Sequence, residues 1–138
     1  MNDRARLSRP RALVVDDEPD IRDLLSMTLR RMQVDVETAS DRASAIRRLG
    51  SERFDLVLTD MRLPDGDGLD IVQWIQQQRP GVPVAVITAH GNVETAVRAL
   101  KLGAFDFISK PLDLVALRKM IQATLKLRED DTAPHDET

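Results

Sequence analysis

Carboxylates, a hydroxyl and an amine stand where four apolar runs of this sequence stop. Leu56-Val57-Leu58-Thr59 ends in Asp60, and Ala12-Leu13-Val14-Val15 ends in Asp16 and Asp17. Val84-Ala85-Val86-Ile87 ends in Thr88, and Phe105-Asp106-Phe107-Ile108 runs through Ser109 into Lys110. Singly, each has an ordinary role. Asp17 and Glu18 before Pro19 suit a helix N-terminus, worth about 0.3 to 1 kcal/mol. Thr88 suits a strand end, Lys110 a solvated surface, and His90, Met61 and Trp74 need no special role.

Placed together, they imply chemistry. Carboxylates a few ångström apart repel by about 4 kcal/mol per close pair at an effective dielectric near 20, so a fold that gathers Asp16, Asp17 and Asp60 requires a cation. Oxygen donors with waters suit octahedral magnesium, and no His or Cys cluster argues for zinc. A carboxylate beside such an ion, with a hydroxyl and an ammonium opposite, is equipped to accept a phosphoryl group. Asp60 is the expected acceptor.

These residues meet only if the elements place their runs side by side. The runs read as strands, Leu56 to Leu58 buried on both faces of a parallel sheet and Val84 to Ile87 another buried strand. Helical periodicity follows each. Ile21, Leu24, Leu25, Leu29 and Met32 share one face after Pro19, and Ala43, Ile46 and Leu49 share another after a Ser40 cap, with Gly50 closing that helix. Leu69, Val72 and Ile75 form a third set, Val93, Ala96, Val97 and Leu100 a fourth, and Leu114, Leu117, Ile121 and Leu125 a fifth. The second strand, Val34 to Ala39, alternates as an edge strand does, and Pro64 to Gly68 reads as a turn. Five strands alternating with five helices imply a doubly wound α/β domain, a five-stranded parallel sheet of flavodoxin-like order 2-1-3-4-5. Its switch point lies between the first and third strands, where Asp16, Asp17 and Asp60 would share a crevice.

Size and charge narrow the setting. The 138 residues suit one core, with 1–10 expected as a flexible arm, 11–127 as the domain and 128–138 as a disordered tail or linker stump. A net charge of −3 offers no basic field for nucleic acid or an anionic membrane. With no cysteine, no apolar leader and no run of membrane-spanning length, the expected location is the cytoplasm.

The segments VVDDEP, the strand-ending Asp60 with MRLPDG, TAHG and AFDFISKP resemble the receiver domain of two-component response regulators over about Arg11 to Leu127. The resemblance implies magnesium held by Asp16, Asp17, Asp60 and the Arg62 backbone carbonyl, with Asp17 the more direct ligand and Asp16 acting partly through water. It makes Asp60 the phosphoacceptor, Thr88 the switch hydroxyl, Phe107 the switch aromatic and Lys110 the phosphate-holding lysine, with a cis Lys110-Pro111 bond. Ala89 takes the small position that admits the donor, and Arg62 and His90 take the two that tune dephosphorylation. Phe107 stands where tyrosine is commoner, so the switch must act by packing alone. The implied partner is a sensor histidine kinase, and a receiver homodimer is a further one.

GNVETAVRALKLGAFDFISKP and LTDMRLPDGDGLDIV resemble sigma-54-dependent, NtrC-type regulators, with type IV pilus genes as one expected output. Those regulators carry an AAA+ ATPase and a DNA-binding domain after the receiver, and no Walker A pattern occurs in these residues. Two other readings are open, the second of them on the same fold. A magnesium phosphatase of the haloacid dehalogenase type expects a second acid where Arg62 stands, and an interaction module independent of phosphorylation would not need the full Asp, Thr and Lys set.

Overall fold

The structure, a computed structural model, describes residues 9–132. Its sheet comprises β1 (Arg11–Val15), β2 (Asp35–Ala39), β3 (Leu56–Asp60), β4 (Val84–Thr88) and β5 (Asp106–Ser109), all parallel, in the order β2-β1-β3-β4-β5. The helices are α1 (Pro19–Arg31), α2 (Arg42–Ser51), α3 (Gly68–Gln78), α4 (Val93–Leu102) and α5 (Leu114–Thr132). The expected topology is therefore present.

Alternate residues of the central strands feed two apolar layers. Leu13, Val15, Val57, Val84 and Val86 pack with Ala45 and Leu49 of α2, Ile71, Val72 and Ile75 of α3 and Ala99 of α4. Val14, Leu56, Leu58, Ala85 and Ile87 pack on the other face with Leu25 and Leu29 of α1 and Leu117 and Ile121 of α5. Full burial of each Val, Leu or Ile among them contributes about 1.5 to 3 kcal/mol, which fixes the register of the central strands β1, β3 and β4 and hence the level at which the last residue of each emerges.

Several local expectations need correction. Asp41, not Ser40, caps α2 by accepting a hydrogen bond from the Ser44 N–H, and the helix continues through Gly50 to Ser51. Ala45 rather than Ala43 is the buried alanine. On α4 the buried residues are Ala96 and Ala99, whereas Val93, Val97 and Leu100 are exposed at 65%, 42% and 39%. Two small side chains let that helix lie close to the sheet and turn its branched residues outward. The turn after Asp60 is a two-stranded antiparallel hairpin, Arg62–Leu63 against Gly66–Asp67. α5 runs past Leu127 to Thr132, with no glycine or proline after Leu114 to break it before Pro134. Of the expected arm 1–10 only residues 9 and 10 are described, and residues 133–138 of the expected tail lie outside the described residues.

Candidate functional site

Strand register assembles the site. Val15 pairs with Thr59, so Asp16 and Asp60 leave the sheet as neighbours, while Asp60 pairs with Ile87 and Thr88 with Ser109. The Lys110 N–H donates to the Thr88 carbonyl at 2.8 Å, carrying the lysine over the same edge. The Lys110–Pro111 bond is cis, as expected. Lys110 Nζ lies 2.9 Å from Glu18 Oε1, 3.3 Å from Asp60 Oδ2 and 3.5 Å from Asp16 Oδ2.

The three aspartates differ in exposure. Asp16 is fully buried, Asp60 is 7% exposed, and Asp17 faces solvent at the rim. Each nevertheless offers an oxygen within 4.8 Å of the others. Burial pushes the Asp16 carboxyl up to about 6; the Glu18 N–H hydrogen bond opposes this, the Asp60 charge adds to it and Lys110 opposes it. Burial likewise raises Asp60 against the pull of Lys110. Burial alone would lower Lys110, yet its hydrogen bond to Glu18 and the charges of Asp60 and Asp16 hold it above the ordinary lysine range.

Two buried atoms of the site, Asp16 Oδ2 and Thr88 Oγ1, make no hydrogen bond. An all-oxygen donor set with carboxyls raised by burial fits a hard divalent cation. A cleft of about 380 Å³ opens over these groups, lined by Asp17, Glu18, Asp60, Arg62, Pro64, Ala89, Asn92 and Lys110. A larger cavity of about 640 Å³, bordered by Arg22, Ser44, Arg47 and Arg48, holds none of the clustered aspartates, so volume alone does not mark the chemistry.

Of the remaining expected residues, Arg62 and Ala89 line this cleft, whereas His90 and Phe107 stand outside its lining. Arg62 is exposed, and its N–H donates to Asp60 Oδ1 at 3.5 Å. Ala89 and His90 are exposed in the loop after β4, and Phe107 is 37% exposed on β5. Sequence reasoning missed Glu18 as a partner of Lys110, although the run of three acids before Pro19 was its signal. It also missed Asn92, which caps α4 by accepting from the Thr95 N–H and hydroxyl while lining the cleft.

Residues 12–122 match a family model described as the response regulator receiver domain. The chain is 56% identical over 132 residues to the response regulator protein PilR of Pseudomonas aeruginosa, covering 94% of this chain and 30% of that protein. It is 40% identical over 123 residues to the nitrogen assimilation regulatory protein NtrX of Azorhizobium caulinodans, covering 86% of this chain and 27% of that protein. It superposes on a CheY-like response regulator receiver domain protein from Methanospirillum hungatei with a TM-score of 0.84 at 30% identity, covering 90% of this chain and 99% of that one. The chain thus spans about 30% of the length of these two curated relatives.

Proposed function

The chain belongs to the response regulator receiver family, and from that premise we propose that it is a phosphorylation-dependent switch whose phosphoacceptor is Asp60. The carrying observation is one ammonium, Lys110 Nζ, within 3.5 Å of both Asp16 and Asp60 beneath an open cleft. Asp16, Asp17, Asp60 and the Arg62 backbone carbonyl are the groups that would hold magnesium. Bound there, magnesium would supply charge neutralisation for the transferring phosphoryl oxygens.

The chain's own residues do the rest. A carboxylate oxygen of Asp60 bonds to phosphorus as the bond to the donor's histidine nitrogen breaks, and the departing imidazole keeps that electron pair. Lys110 holds one phosphoryl oxygen as a point charge. Thr88, whose buried hydroxyl has no partner, donates to another. As Thr88 moves toward the phosphoryl group, Phe107 leaves solvent for the space behind it and the surface of α4 and β5 changes. Because Phe107 carries no hydroxyl, packing alone transmits the change.

The partner that supplies the phosphoryl group is a sensor histidine kinase in the cytoplasm, and the chain acts as its acceptor and as an autodephosphorylating domain rather than as a turnover enzyme. We infer, from the resemblance of its segments to NtrC-type regulators together with its likeness to PilR and NtrX, an output through AAA+ and DNA-binding domains on sigma-54-dependent promoters, type IV pilus genes among them. The test is incubation with magnesium and acetyl phosphate followed by intact mass measurement. A single phosphoryl gain that Asp60→Asn abolishes supports the assignment; a wild type that gains nothing from acetyl phosphate or from beryllofluoride overturns it.

A further inference from the structure

The hairpin after Asp60 is held from outside. At its tip, Asp65 reaches the first turn of α2, where Oδ1 accepts the Arg42 N–H at 2.7 Å and Oδ2 accepts the Ala43 N–H at 2.9 Å. Asp41 already serves the Ser44 N–H, so two aspartates from different parts of the chain share the orphan donors of one helix start. The Arg42 and Ala43 N–H bonds hold the Asp65 carboxyl below the ordinary carboxylate range. The Arg42 side chain then crosses Gly66, where a Cβ would meet its Nε at 2.8 Å, and approaches Asp70 Oδ2 at 3.6 Å. The first residue of α2 therefore engages the hairpin at its tip and the helix that follows it.

We propose that Asp65 is a positioning residue for the phosphoacceptor site: by clamping the hairpin onto α2 it fixes Arg62, Leu63 and Pro64 as one wall of the cleft. This rests on the reading of Asp60 as phosphoacceptor. The mechanical path is short. The Arg62 N–H faces Asp60 Oδ1, Arg62 pairs with Asp67 across the hairpin, and the Gly68 N–H donates to the Met61 carbonyl at 2.9 Å. A hairpin with two residues per strand has little rigidity of its own, so its position relative to Asp60 depends on what grips its tip.

The test compares Asp65→Ala and Asp65→Asn with Asp41→Ala in the 138-residue chain. Asp41→Ala removes a cap of the same helix without touching the hairpin. Readouts are magnesium affinity by calorimetry, the rate of labelling by acetyl phosphate, and amide chemical shifts of 61–68. Both Asp65 variants are expected to weaken magnesium binding by about tenfold, the low end of what losing a supporting partner costs a metal site, and to slow labelling comparably. The shift changes should centre on the hairpin. Asp41→Ala should lower the unfolding midpoint while leaving affinity and rate within about twofold of wild type. Should Asp65→Ala not fold, the isosteric Asp65→Asn decides. Asp65 variants that bind magnesium as wild type does, or an Asp41→Ala that weakens binding equally, overturn the clamp while leaving Asp60 untouched. A wild type that neither binds magnesium nor accepts a phosphoryl group overturns both.

Discussion

Removing the buried acid Asp16 should make the metal-free protein more stable at neutral pH, and the gain should vanish in acid. The folded protein holds the Asp16 proton more tightly than the unfolded chain, with a pKa pushed from 3.8 to about 6 by burial. Its contribution to stability is therefore fully present below the unfolded value and is lost as pH rises through about 6. That interval corresponds to about 3 kcal/mol, an upper figure because losing the charge also takes one partner from Lys110. Asp16→Asn keeps an oxygen for the Glu18 N–H and removes the titration. Groups held low, such as Glu52 and Asp65, act in the opposite sense and are common to both proteins, so the difference between the two isolates Asp16. The assay is urea unfolding in EDTA, followed by Trp74 fluorescence between about pH 4 and pH 7.5. The variant should gain on wild type by up to about 3 kcal/mol across that range. Magnesium at about one hundred times its Kd should return about 2.7 kcal/mol to wild type and less to the variant. Parallel curves, or a variant that loses ground as pH rises, would refute the electrostatic account of this site.

Three further outcomes follow from the same geometry. Lys110→Met removes the one ammonium among the described residues that lies within 3.5 Å of both Asp16 and Asp60, so acetyl phosphate labelling should fall at least tenfold while magnesium affinity, measured by calorimetry, rises by about tenfold, or about 1.4 kcal/mol. Affinity falling together with labelling would contradict competition between the two cations. Thr88→Val replaces a buried hydroxyl that has no hydrogen-bond partner, and should stabilise the resting protein by about 1 to 2 kcal/mol in urea while blunting the phosphorylation-induced shifts of Phe107; a less stable variant would mean the hydroxyl is paired. Gly68→Ala puts a Cβ against the Asp60 carbonyl oxygen and 3.2 Å from the Met61 Cα, and should cost about 1 to 3 kcal/mol and slow labelling; unchanged unfolding would show that this approach relaxes freely.

What could be read from the residues divides along a physical line. The positions of Asp16, Asp60 and Thr88 were legible because each ends an apolar run, and a sheet buried on both faces leaves such runs only one register; Lys110 was legible because it follows Ser109 at the end of β5, although that edge strand buries only Ile108. The outward turn of Val93, Val97 and Leu100 was not, since α4 carries apolar residues on two adjacent faces and periodicity cannot tell which packs. The choice was made by the small size of Ala96 and Ala99, visible only once the helix lies against the sheet. Likewise Ser40 and Asp41 are equally good caps on paper, and the geometry of the turn leaving β2 selects Asp41. The hairpin was hidden because two residues per strand are too few to show alternation. Asp65 was hidden because its partners are backbone N–H groups that any sequence possesses.

The same line explains why the site is electrostatically costly and yet suited to a cation. Acids at strand ends in a doubly covered sheet lie where apolar side chains close over them, so the core that fixes their spacing is also what raises Asp16 and Asp60. Lys110 answers only part of that deficit, since its single charge is divided among Asp16, Asp60 and Glu18. The resting fold therefore favours an added cation through the very oxygens that hold it. Removing an acid should stabilise and disable, whereas removing the lysine should destabilise the metal-free form yet sharpen its hold on magnesium. A domain held together by apolar packing alone has no reason to link those effects. A pair of variants that moves stability without moving magnesium affinity would show that these acids are structural neighbours rather than one electrostatic unit.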